Sequence, residues 1–146
     1  VAFTSNIIIA QRLVRKICPN CKESFKLTAK ELKQLHSLID KSKLATLFKE
    51  HGATLTAKER SLESLTFYRG KGCKKCDASG YKGRVGIYEV MVVDEELQKI
   101  INTKANVNDI KAYAIKNGML TLFQDGLIKA KLGVTTIEEI LRATKD

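Results

Sequence analysis

The residues whose type and spacing point most directly to chemistry are four cysteines. They fall into two Cys-x-x-Cys pairs, Cys18-Pro19-Asn20-Cys21 and Cys73-Lys74-Lys75-Cys76. A two-residue loop brings two thiolates onto one cation, each sulfur about 2.3 Å from it, and two such loops complete a tetrahedron. Lys16 and Lys22 beside the first pair, with Lys74 and Lys75 inside the second, are expected to favour thiolate over thiol. The 51 residues between the pairs exceed the ~15–20 of a compact zinc ribbon. Closing so long a loop costs ~3–4 kcal/mol. A structural zinc site returns ~10–16 kcal/mol, so metal binding outweighs the loop. Cys18, Cys21, Cys73 and Cys76 are therefore expected to hold one zinc. Four sulfurs fill its shell and leave no position for activated water, which makes the site structural.

Other chemistries fit less well. Two disulfides would need an oxidising compartment, and no export signal is visible. A thioredoxin-like redox site uses a single Cys-x-x-Cys at a helix start. Iron in the same four-sulfur cage is chemically allowed and stays open at this point. His36 and His51 lack ligand spacing and are expected at the surface. Glu95-Glu96 and Glu138-Glu139 suit helix first turns, where acids complement the dipole. Gly80, Gly83 and Gly86 precede a strand instead of joining strand to helix, so they do not form a dinucleotide fingerprint. The pattern G-x-x-x-x-G-K-[ST] is absent, and no nucleophile–base constellation stands out.

The elements that must position the cysteines follow from periodicity. Ala10, Leu13, Val14 and Ile17 share helical spacing and predict an amphipathic helix entering the first pair. Thr28 with Glu31 forms a capping-box signature ahead of Leu32, Leu35 and Ile39. Leu44, Leu47 and Phe48 predict a second short helix ending near Gly52, and Thr56 with Glu59 predicts another. Residues 28–64 thus read as a helical insert. Thr66–Tyr68 favour a strand, Gly80–Arg84 a turn, and Val85–Val93 a strand covered on both faces. From Asp94 the pattern is helical: Leu97, Ile100 and Ile101 share a face, as do Ile110, Tyr113 and Ala114 before Gly118. Thr121 with Gln124 and Thr135 with Glu138 are expected to cap the last two helices.

Composition excludes several classes. With 146 residues, 44% hydrophobic and 29% charged, the chain reads as an ordinary globular domain and not as a disordered tail or a fibre. Apolar runs such as Ile7–Ala10 fall far short of the ~20 residues of a transmembrane helix. A first residue of Val1 instead of Met suggests a piece of a longer protein. The net charge of +10 resides in residues 1–93, while residues 94–146 balance. Such a field suits an anionic partner: nucleic acid, acidic lipid or an acidic protein surface.

Several runs match the pattern of one known family. They are Ala10-Gln11-Arg12-Leu13-Val14-Arg15-Lys16-Ile17-Cys18-Pro19-Asn20-Cys21 and Phe67-Tyr68-Arg69-Gly70-Lys71-Gly72-Cys73-Lys74-Lys75-Cys76. The resemblance is strongest in Gly80-Tyr81-Lys82-Gly83-Arg84-Val85-Gly86-Ile87-Tyr88-Glu89-Val90. It returns in Gly118-Met119, Asp125-Gly126-Leu127 and Gly133-Val134-Thr135-Thr136-Ile137-Glu138-Glu139-Ile140-Leu141-Arg142. Residues 24–64 fall outside it, and the spacer between the cysteine pairs is longer than the family pattern leads one to expect. These runs resemble the C-terminal region of type II secretion and type IV pilus assembly ATPases, and the resemblance implies a parent that is a cytoplasmic, hexameric ATP-hydrolysing motor at the bacterial inner membrane. It implies that ATP and Mg belong to the parent, whose phosphate loop would lie upstream, and that only the four cysteines transfer, as metal ligands.

Together these readings predict an α+β fold. The resemblance implies that residues 1–17 are the last helix of a RecA-like ATPase core, with 18–83 a tetracysteine zinc module holding a helical insert at 28–64 and 84–146 a strand with closing helices. The resemblance also implies a structural or coupling role, with a homo-hexamer and an inner-membrane platform protein or anionic membrane surface as partners. A zinc-ribbon-like nucleic-acid-binding module is the alternative. Only 9 aromatics in the chain, none of them Trp, argue against the stacking platforms it would need.

Overall fold

The computed structural model describes residues 6–53, 55–59 and 61–145. Two antiparallel ribbons carry the chain past the cysteines. The longer pairs β1 (Ile7–Ile17) with β4 (Tyr81–Val92), in a register that sets Ile7 against Val92, Ile9 against Val90 and Val14 against Val85. The shorter pairs β2 (Lys22–Lys26) with β3 (Thr66–Gly70). Between β2 and β3 lie α1 (Ala29–Leu38) and α2 (Lys41–Glu50); after β4 come α3 (Glu95–Asn102), α4 (Val107–Lys116), α5 (Leu122–Lys131) and α6 (Ile137–Ala143).

The helix expected over 10–17 is a strand. The spacing of Ala10, Leu13, Val14 and Ile17 suits either element, but a ladder with β4 satisfies the backbone from Ile7 onward. Of those four side chains only Val14 and Ile17 are buried. The β-branched run Ile7-Ile8-Ile9 favours the same outcome. β4 also differs from expectation at both ends of the argument. It begins at Tyr81, so the predicted turn over 80–84 runs mostly as strand, with Gly83 at φ +81°. It is covered on one face only: Ile87 is buried, whereas the opposite face of the ribbon exposes Ile7, Ile9, Leu13, Tyr88, Val90 and Val92.

Helix starts were more legible. Thr28 caps α1 in a reciprocal box with Glu31, and Thr121 caps α5 with Gln124. Asp94 and Asn106 cap α3 and α4 through side-chain oxygens that accept the N–H of Leu97 and Asp109. The last cap is displaced by one residue, to Thr136 with Glu139, because Thr135 is buried and its Oγ1 donates to the Arg15 carbonyl at 2.8 Å. Thr56 and Glu59 form their bonds at 2.9 and 3.0 Å, yet they close a turn, and among the described residues only a single 3-10 turn follows before β3, over Leu62–Ser64. The Glu59 carboxylate is shared with the Thr66 N–H at 2.7 Å and the Lys131 ammonium at 2.8 Å.

One core joins insert and C-terminal helices. Leu35, Leu44, Leu47 and Phe48 from α1 and α2 pack in the same cluster as Phe67, Ile87, Leu127, Ile128, Ile137 and Ile140. Each fully buried side chain of this kind contributes roughly 1.5–3 kcal/mol by leaving water. Gly126 makes the α5–α6 contact close: a Cβ there would stand 2.7 Å from Ile140 Cδ1.

Candidate metal centre

Cys18 and Cys21 adjoin strand ends directly, whereas Cys73 and Cys76 lie in the loop between β3 and β4, at a single 3-10 turn over Lys74–Cys76. Cys18 follows β1 and Cys21 precedes β2; Cys73 follows β3 and Cys76 precedes β4. The two ribbons therefore deliver all four to one place, and their sulfurs lie within 4.8 Å of one another. Cys18 Sγ is 3.9 Å from Cys73 Sγ, Cys21 Sγ is 3.8 Å from Cys76 Sγ, and Cys73 Sγ is 3.7 Å from Cys76 Sγ. Four sulfurs at about 2.3 Å from a shared centre stand about 3.8 Å apart in a tetrahedron. The donor set and its spacing thus fit a four-coordinate cation. They do not fit disulfides, whose sulfurs would be about 2.0 Å apart.

The backbone around the cage is tightly determined. Cys18 N–H donates to the Gly80 carbonyl at 2.9 Å, and Lys71 N–H donates to the Cys21 carbonyl at 3.0 Å. Gly80, at φ +78°, passes so close to Gly70 that a Cβ on it would lie 2.6 Å from the Gly70 oxygen. Only glycine fits there. Ala78 adopts φ +59°, a left-handed conformation costing about 1–2 kcal/mol for an L-residue.

Hydrogen bonds set the charge on the sulfurs. The Asn20 amide donates to Cys73 Sγ at 3.3 Å and lowers that thiol's pKa against the opposing effect of burial. Burial pushes Cys76 up, but the N–H groups of Cys73 and Gly80, at 3.2 and 3.3 Å, bring it down to about 6. Cys21 is pushed up to about 12, by burial first and then by the neighbouring sulfurs, against the Gly72 N–H. Thiols this close cannot all ionise without a cation among them. The dominant donors are thus amides, not the lysines that the sequence pointed to. Lys22 instead donates to the Gly133 carbonyl at 3.2 Å and lies over the Tyr68 ring at 5.2 Å.

That contact fastens the cage to the loop after α5, as does the Ile17 N–H bond to the Val134 carbonyl at 2.9 Å. A buried carboxylate adds a third tie. Glu139, fully buried, accepts from the Arg15 backbone N–H at 2.8 Å, the Arg15 guanidinium at 2.7 Å and Arg142 at 2.9 Å. Burial raises its pKa, but these donors hold it at about 2. Arg15 also stacks on Tyr81 at 4.1 Å, and the Tyr81 hydroxyl lies 3.0 Å from Thr136 Oγ1. Sequence reasoning missed this role. Glu139 reads there as a first-turn acid, and only Arg142 lies within local reach.

His36 is half-buried, its Nε2 3.1 Å from Glu63, where a surface position was expected; His51 is exposed. Neither histidine joins the sulfur cluster. Among the described residues, no helix is long and apolar enough to cross a membrane.

A mixed α and β chain whose two ribbons gather two Cys-x-x-Cys turns into one four-sulfur cage is a tetracysteine knuckle protein. The family model described as type II/IV secretion system protein matches residues 1–142, and the chain belongs to that family. It is similar to the type IV pilus assembly ATPase PilB of Pseudomonas aeruginosa, 39% identical over all of this chain and 22% of the relative. It is similar also to PilB of Thermus thermophilus, 35% identical over 94% of this chain and 13% of that protein. The type II secretion system ATPase E of Vibrio cholerae is 34% identical over 95% of this chain and 23% of its own length. The chain thus spans between about an eighth and a quarter of these relatives.

Proposed function

We propose that this chain is the zinc-binding C-terminal part of a hexameric ATPase that powers type IV pilus assembly or type II protein secretion. Its task in that motor is structural and coupling, not catalytic. The observation that carries the reading is the four-sulfur cage, formed from two segments 55 residues apart, in a chain that the secretion family matches almost throughout. Cys18, Cys21, Cys73 and Cys76 would hold the metal. A closed four-sulfur shell supplies folding energy and leaves no site for activated water. The sequence carries no phosphate loop, so ATP and Mg chemistry is assigned to the remainder of the motor.

The surroundings support a coupling role. The cage is bonded to the loop after α5 through Ile17 and Lys22, and to α6 through Arg15 and Glu139. Lys74, Lys75, Lys82 and Arg84 are exposed beside it. They form a cationic surface suited to an acidic platform protein or an anionic membrane surface on the cytoplasmic side of the inner membrane.

The test uses the full-length motor. Elemental analysis should give one zinc per chain; iron in its place would correct the metal, and no metal would overturn the reading. The double variant Cys73→Ser with Cys76→Ser should lose protease resistance in this region and lose pilus or secretion output. ATPase activity per folded subunit should persist. Wild-type protease resistance together with full output would sink the coupling role.

A further inference from the structure

We propose that Asn20 is a positioning residue for the metal cage, its amide reaching from the first Cys-x-x-Cys turn to fix Cys73 of the second and slow exchange of the bound cation. The inference rests on the reading of the cysteines as a metal site.

Asn20 Nδ2 donates to Cys73 Sγ at 3.3 Å, across 53 residues of sequence. The two N–H groups on Cys76 Sγ are backbone donors of its own segment, from Cys73 and Gly80. The Asn20 bond therefore links the knuckles to each other as well as to the metal. The turn that carries Asn20 is set by Pro19 and closed by the Cys21 N–H bond to the Cys18 carbonyl at 3.3 Å. A sulfur that bears negative charge selects the NH₂ end of the amide, since the carbonyl end would set two acceptors in contact.

Position adds to the argument. Asn20 is exposed and, with Cys18, Pro19, Lys75 and Lys82, lines an open concavity of about 380 Å³. This is a solvent-facing side of the cage. Cation exchange from a filled four-sulfur shell requires one thiolate to swing away or an incoming ligand to displace it. Cys73 is only half-buried, so it is a sulfur that can swing. Asn20 restrains it, and Lys75 and Lys82 beside the opening would draw an anionic competitor. Second-sphere donors of this kind typically govern metal affinity by about 10- to 100-fold.

The experiment compares the zinc-loaded full-length protein with Asn20→Ala and Asn20→Asp, following transfer of zinc to an excess of an anionic chromophoric chelator. Asn20→Ala should release zinc about 10- to 100-fold faster, with unchanged protease resistance in the loaded state. Asn20→Asp keeps the shape of the turn but replaces the donor by an acceptor, and should release at least as fast. Cobalt-loaded samples should show a displaced thiolate charge-transfer band in both variants. Wild-type release rates in both variants, or a fast alanine variant beside a wild-type-like aspartate one, would overturn the role. A wild-type protein that holds no metal would overturn the site reading as well; a loaded wild type with unaltered variants defeats the Asn20 role alone. Should alanine disturb the turn, the aspartate variant carries the comparison.

Discussion

Replacing Glu139 by glutamine tests whether a buried charge, and not packing alone, fastens α6 to β1. The side chain is fully buried and accepts from both arginines and from the Arg15 backbone. Its pKa of about 2, against an ordinary value near 4.3, corresponds to about 3 kcal/mol at 1.36 kcal/mol per unit. The arginine side chains are 48% and 57% exposed, so solvent screening reduces that to about 2 kcal/mol. Because the folded pKa lies below the unfolded one, this stabilisation is complete above about pH 5 and disappears as pH falls towards 2. Glutamine preserves the shape and one acceptor. It should therefore cost about 2 kcal/mol at pH 7, or roughly 4–8 °C in Tm for a chain of this size. Thermal unfolding of wild type and Glu139→Gln, compared at each pH between 7 and 3 in the same metal state, reads the difference. The gap should shrink as the wild-type carboxylate protonates. Equal stability at pH 7, or a gap that ignores pH, would refute the electrostatic account.

Two further outcomes follow from the core. Lys131→Met strands the Glu59 carboxylate, which with its partner is more than nine-tenths buried, so denaturant titration should show a loss of about 3–5 kcal/mol. Adding Glu59→Gln should recover much of that loss, because no unpaired charge then remains buried. Gly126→Ala gains about 1 kcal/mol of helix propensity but drives a methyl to within 2.9 Å of Cγ2 of the fully buried Ile140. The net expectation is a loss of about 1–2 kcal/mol, measured the same way, and a stabilised variant would contradict the close α5–α6 packing.

What could be read from the chain alone was whatever depends on neighbours a few residues apart. The two Cys-x-x-Cys loops, the caps at Thr28 and Thr121 and the helical faces around Leu97 and Tyr113 are local patterns, and the structure keeps them. Where a segment's partner lies far away, local spacing had nothing to choose with. Residues 10–17 satisfy a helical period, yet they form a strand because residues 81–92 offer an edge to pair with. Thr56 and Glu59 bond to each other but start no α-helix, and the Glu59 carboxylate is claimed by Lys131 and the Thr66 N–H, both distant in sequence. Glu139 looks like any first-turn acid until the fold buries it against Arg15, 124 residues earlier. The cysteines needed no such help, since four thiolates in two knuckles have one strong way to be satisfied together. Which amide would steady their sulfurs, and which helices they would fasten, depended on tertiary contacts that no window of sequence contains.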